Sequence, residues 1–195
     1  MKLAPSGIAT LSLLLAGCGT HPASVPIEGK RILVIPFSEG ARPPFESRLG
    51  RELAVGISAV ILDERLENAA ILDFRDVEGL AKGTDVDWRA VGVAAKADYL
   101  LIGNIREYRL REPKDLTTRR GTLAVEYRVL DVATGADVLL VPMRTFHYPP
   151  DTSRHEESFN YGVDIFTDPG KIAQGLLLEA SLGIAGEFLE HGHAE

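Results

Sequence analysis

Arg31-Ile-Leu-Val-Ile-Pro-Phe37 is the stretch that decides the fold class. Ile32, Leu33, Val34 and Ile35 follow one another with no polar residue between them. A half-exposed strand alternates; an unbroken run of this length, rich in branched side chains, fits a strand buried on both faces. Pro36 marks its end, because proline has no N–H to give to a ladder. Such a strand sits centrally in its sheet.

Beyond it, residues 38–44 are turn formers, and Leu49, Leu53, Ile57, Val60 and Ile61 then recur at helical spacing. They predict a helix over 45–62 with one apolar stripe against the sheet. A second apolar run, 69–74, reads as a strand at the edge or beside the first, and 76–81 as a helical turn. Asp85 or Asp87 caps a further helix that runs to about Lys96, with Trp88, Val91, Val93 and Ala94 as its apolar residues.

Residues 99–110 begin fully apolar and become alternating and charged, as in a strand that leaves the core and enters a hairpin. Residues 122–131 answer it, with Leu123, Val125, Tyr127 and Val129 on one face and Glu126 and Arg128 on the other. Ala133-Thr-Gly-Ala136 is a tight turn into a third antiparallel strand, 137–148. The polar, aromatic stretch 149–167 has no period and reads as a loop. Asp168-Pro169 then starts a helix, carried to about 190 by Ile172, Leu176, Ala180, Ile184 and Phe188. The expected fold is α+β: a mixed sheet of about five strands with amphipathic helices packed mainly on one face.

The amino terminus has another logic. Lys2, an apolar run over 8–16 and small residues before Cys18 form the three parts of a secretory signal. The run is too short to span a bilayer, which takes about 20 apolar residues. Leu15-Ala16-Gly17-Cys18 resembles the lipobox of bacterial lipoproteins, and Cys18 is the one cysteine in the chain. The resemblance implies cleavage between Gly17 and Cys18, a diacylglycerol on the Cys18 thiol and an N-acyl group on its new amino terminus. Each buried methylene contributes about 0.8 kcal/mol to membrane binding, so several chains hold firmly. Gly19, in place of an aspartate, resembles lipoproteins sorted to the outer membrane, with the domain on its periplasmic face.

The chain accordingly divides into a signal peptide (1–17), a lipidated tether with Pro22 and Pro26 (18–29), a single domain (30–191) and a tail (192–195). Losing Lys2 with the signal leaves 20 basic against 28 acidic side chains, a formal charge of −8, which argues against nucleic-acid binding. Without further cysteines, packing alone must hold the domain.

Four segments carry a wider resemblance: Arg31 to Phe37, the helix containing Leu49 to Ile61, Ala94-Ala-Lys-Ala-Asp-Tyr-Leu-Leu-Ile-Gly103, and Tyr127-Arg-Val-Leu-Asp-Val-Ala-Thr-Gly135. In this order they resemble the periplasmic domain family of the TolB amino-terminal region, CsgG and LpoB, with its anticodon-binding-domain-like fold. The resemblance implies a module that binds envelope proteins, in some members as a homo-oligomer, and it carries no catalytic residue across. A CsgG-like secretion subunit is one alternative, although no pair of long alternating hairpins suited to a membrane barrel is present.

Catalytic patterns fail on inspection. Ser58 and Ser181 each lack one glycine of a nucleophile elbow, and neither Lys82-Gly83-Thr84 nor Gly170-Lys171 has the glycine-rich run of a phosphate loop. The acidic stretch from Asp73 to Asp87 lacks calcium-loop order, and His191 and His193 lack a third ligand. A non-enzymatic chain without cofactor or metal is expected. The alternative from another class is a hydrolytic or ligand-binding site assembled from Asp85, Asp87, His147 and His155.

Two surfaces are candidates for partner binding. The hairpin tip carries Arg109, Arg111, Lys114, Arg119 and Arg120 against Glu112 and Asp115, and it would suit an acidic partner or equally shield a protruding strand end. The aromatic stretch Phe146, Tyr148, Phe159, Tyr161 and Phe166 would anchor an interface or complete the core. The expected role is that of an outer-membrane-anchored accessory or assembly factor working through protein contacts in the envelope.

Overall fold

The computed structural model describes residues 25, 27–63, 69–81, 85–111, 120–149 and 168–189. Elements follow in the order β1 (Arg31–Val34), β2 (Ser38–Glu39), α1 (Arg48–Asp63), β3 (Ala70–Leu72), α2 (Trp88–Ala95), β4 (Tyr99–Arg111), β5 (Arg120–Asp131), β6 (Asp137–Tyr148) and α3 (Pro169–Leu189), with 3-10 turns at Pro44–Glu46 and Phe74–Val77. The sheet is six-stranded, ordered β3-β1-β4-β5-β6, with β2 beside β4. β1 pairs in parallel with β3 and β4, while β4, β5 and β6 form antiparallel hairpins. This is the expected mixed α+β sheet, with β1 inside it.

Register sorts the side chains into two faces. Gly121, Leu123, Val125, Tyr127 and Val129 of β5 look toward α3: a Cβ at Gly121 would lie 3.0 Å from Leu176 and 3.1 Å from Ile172. α1 lies beside α3, with Gly56 against Ser181, whose hydroxyl donates to the Leu177 carbonyl at 2.8 Å. On the other face Leu100 pairs with Leu130, and α2 closes over this row with Gly92 against Leu100 and Val132. The two long helices thus share one face, and the short α2 covers only one end of the opposite face.

β1 ends up as the sequence requires: Ile32, Leu33, Val34 and Ile35 are all buried, as are Leu100 and Leu101 beside them. Each such side chain contributes about 1.5–3 kcal/mol by leaving water. Two glycines make this packing possible. A Cβ at Gly50 would overlap the Phe37 backbone carbonyl, and one at Gly103 would overlap the Phe37 ring. α1 therefore starts flush against the extended chain after β1. The helix starts use the expected chemistry: Asp87 accepts from the Ala90 N–H at 3.0 Å, and Asp168 from the Gly170 N–H at 2.8 Å. Gly135, with φ +75°, turns β5 into β6.

α3 departs from simple amphipathicity. Ile172, Leu176, Ala180 and Ile184 are buried, yet Leu178 and Leu182 point to solvent. No helix among the described residues is long and apolar enough to cross a membrane.

Candidate protein-contact surface

β4 and β5 run together from Tyr99–Asp131 to Arg111–Arg120, well past the point where β2 stops pairing at Ile105. α3 covers one face of this ribbon. The other face, beyond α2, carries a cross-strand row of Ile102, Arg128 and Leu140 and, one step on, Asn104 opposite Glu126. Ser38 closes the row from β2. Together these side chains line a shallow depression of about 440 Å³.

The charges in it are paired. Glu126 meets the Arg106 guanidinium at 2.5 Å and accepts from Asn104 Nδ2 at 3.4 Å, and Arg128 reaches Asp137 at 3.2 Å. Ser38 Oγ donates to the Gly103 carbonyl at 3.3 Å. One acceptor is left over: Asn104 Oδ1 is buried and receives no hydrogen bond among the described residues. On one side the depression opens onto β6, the edge strand, where Leu140 is 66% and Met143 65% exposed. Register slips between Tyr127 and Val125, so that Pro142 and Met143 bulge opposite Glu126 and break the edge into two short runs.

The helix-facing side holds a different polar group. Arg144 donates to the Gly183 carbonyl at 3.0 Å, pairs with Glu187 of α3, and stacks 5.2 Å from the Phe146 ring centre. The Tyr127 hydroxyl is buried beside this pair without a well-formed hydrogen bond to either partner. Burial pushes its pKa up to about 12; Arg144 and Glu187 bias it more weakly, in opposite senses. This cluster fastens α3 to the sheet.

The hairpin-tip and aromatic candidates fall in different places. Arg109 is exposed on the open face, 3.0 Å from Glu107. Arg111 and Arg120 are the last paired residues of β4 and β5, with Arg120 half-buried. Lys114 and Arg119 lie outside the described residues, as do Phe159, Tyr161 and Phe166. So do Cys18, Gly17 and the signal sequence. Tyr148 closes β6 half-buried, its ring lying where a Cβ on Gly175 of α3 would sit, and Phe146 is buried above Gly183. These two aromatics complete the core under α3.

The residues of the proposed hydrolytic site do not converge. Asp87 caps α2 and Asp85 is exposed just before it, near the Val132 turn to which Arg89 donates. His147 lies beside Thr122 at the far end of β5, with Nδ1 3.2 Å from the Thr122 hydroxyl. Nine residues of strand separate Thr122 from Asp131, about 30 Å at the usual rise. His155 is outside the described residues. Among the described residues no three His, Cys, Asp or Glu side chains gather as metal ligands.

Sequence reasoning did not single out the depression, although the means were there. The alternation of β5 put Glu126 and Arg128 on the face away from the core, and the tract Leu140 to Met143 held exposed apolar residues on the outermost strand.

The sequence matches no known protein-family description and no curated protein. A solved structure shares the fold. XCC0632 of Xanthomonas campestris, a DUF330 protein, superposes with a TM-score of 0.50 at 14% identity, covering 88% of this chain and 90% of its own. The CT253 protein of Chlamydia trachomatis gives 0.48 at 12% identity, with 83% and 99% covered. The LpoB C-terminal domain of Salmonella enterica gives 0.40 at 13%, with 62% and 84% covered. At 14% identity the likeness to XCC0632 is one of fold alone.

Proposed function

We propose that this chain is a lipoprotein of the outer membrane, anchored through acylated Cys18 and facing the periplasm, which acts without catalysis as an accessory or assembly factor by binding other envelope proteins. Support for the anchor is the sequence Leu15-Ala16-Gly17-Cys18 behind a secretory signal, with no other cysteine in the chain. Support for protein contact is the open sheet face, where Leu140 and Met143 stand exposed on the edge strand. A partner's apolar side chains laid across this face would cover both. This narrows the interface to β6 and the depression; Arg109 lies further along the same face, opposite Thr122.

Intact mass and membrane fractionation of the wild type and Cys18→Ser test the anchor. The expected result is a mature chain beginning at acylated Cys18, lost to the soluble fraction in the variant; an unmodified wild-type chain would refute it. Photo-crosslinkers placed at Met143 and, as a control on the helix face, at Ala59 test the contact. Adducts to one envelope protein from position 143 alone support it. Equal adducts from both positions, or only adducts of the chain with itself, would refute a separate partner.

A further inference from the structure

The tether ends earlier than its composition suggests. Val25 and Ile27 are 3% and 4% exposed and belong to the same core as β1. The Lys30 N–H donates to the Ile27 carbonyl at 3.0 Å, around Gly29 at φ +68°. The Lys30 carbonyl accepts from the Ala70 N–H at 2.9 Å, and its ammonium lies 5.9 Å from the Tyr99 ring centre. The chain from Cys18 therefore joins the domain at the end of the sheet where β1, β3 and β4 begin.

Covalent geometry then limits how the domain can sit. From residue 18 to residue 25 a fully extended chain spans at most about 25 Å. β4 runs from Tyr99 to Arg111, about 40 Å at the usual rise per residue. Bringing the hairpin end of β4 to the bilayer would place the attachment end about 40 Å above it, beyond the reach of the leash. The attachment end must stay near the surface.

Its chemistry suits that position. Lys30, Arg89, Val93 and Lys96 border a hollow there, with Val93 exposed. Asp98 and Asp131 share it: Asp98 Oδ2 accepts from the Arg31 N–H at 2.8 Å, and Asp131 Oδ1 accepts from the Thr134 N–H of the surface turn at 2.8 Å. With Arg31, four cations stand here against Glu28, Asp98 and Asp131, and Asp85 and Asp87 lie at the adjacent start of α2. The lysine and arginine side chains are the groups that would meet phosphate headgroups.

We infer that the end of the sheet bearing Lys30, Arg89, Val93 and Lys96 is a membrane-facing surface that rests on phospholipid headgroups, so that the β4–β5 hairpin projects away from the membrane. The inference depends on acylation at Cys18. The test uses the full chain, expressed in a bacterium and reconstituted in vesicles of phosphatidylethanolamine and phosphatidylglycerol that contain a nitroxide-headgroup lipid. Single exposed positions receive a fluorophore through Val93→Cys or Ala133→Cys at the near end and Thr145→Cys or His147→Cys at the far end. The proposed orientation predicts quenching at least about twofold stronger at 93 and 133 than at 145 and 147, whereas the reach limit alone would also allow a flat-lying sheet. Equal or reversed quenching, on a chain whose mass shows acylated Cys18, would overturn the orientation alone. A chain without acyl groups would overturn the anchor and this inference together. Lys30→Glu with Lys96→Glu should weaken quenching at 93 and leave 147 unchanged; no change at 93 would overturn the headgroup contact.

Discussion

Where β1, β3 and β4 begin, the sheet lies between α1 on one face and α2 on the other; where β4 and β5 run on past β2, only α3 covers it. At the first end the row Leu33, Leu100, Leu130 is sealed, and Val25 and Ile27, ahead of β1, are buried. At the second end the open face carries Glu107, Arg109, Thr122 and His147, all polar and paired with one another. One sheet thus provides a three-layer body that supplies stability and a two-layer extension whose bare side is free for contact. Stability and binding should respond to mutation at different ends.

The largest effect is expected from Gly50→Ala. The new methyl would overlap the Phe37 backbone carbonyl, which is held between β1 and α1 and has nowhere to move. A loss of about 4 kcal/mol or more is expected in urea unfolding, since neither element can shift without opening the core. A variant of near wild-type stability would mean that the three-layer end is looser than its packing indicates.

A smaller effect is set by pH. Tyr127 is held neutral by burial, its pKa raised from 10.0 to about 12. A raised folded value means the contribution is complete below pH 10 and lost as pH climbs through 12. Wild type should therefore lose about 2 kcal/mol across that window, and Tyr127→Phe should lose less. Equal alkaline losses in both proteins would show that α3 is not seated on a buried Tyr127.

Asp131 offers a weaker effect of opposite sign. The hydrogen bond from the Thr134 N–H lowers its pKa below the ordinary 3.8. Its contribution is present above that value and disappears as pH falls through the lowered one. The carboxylate is solvent-screened, so Asp131→Asn should cost only about 0.5 kcal/mol near neutral pH, and nothing in strong acid. The smallest effect belongs to the bare face. Leu140→Ser should change stability by less than about 0.5 kcal/mol while abolishing crosslinking from Met143. A large loss of stability there would show that the open face supports the core as well as contact.

Much of this division can be read along the chain. The unbroken apolar run of β1 announces two covered faces, and the drift of 99–110 from apolar to alternating announces the change from three layers to two. Asp168-Pro169 and the Thr134-Gly135 turn mark boundaries that recur in the structure, because caps and positive-φ turns are local chemistry. What stays hidden depends on distant partners. The slip between Ile105 and Glu107 of β4 transfers Tyr108 and Leu110 to the helix face, and no local signal encodes it. The cluster of Tyr127, Arg144 and Glu187 draws on β5, β6 and α3, and each residue alone reads as an ordinary polar position. Phe146 and Tyr148 fall within the strand read over 137–148, but whether their rings serve a partner or the core is decided by the cover of α3.

The seam between α1 and α3, where Gly56 lies against Ser181, joins helices from opposite ends of the domain. Both belong to the helix layer, and the second is the last described element to emerge as the chain is made. Until it arrives, Leu123, Val125 and Gly121 have no cover. The helix-facing side of the sheet is therefore completed only when the last described stretch of the chain has been made, and no finished core exists before it.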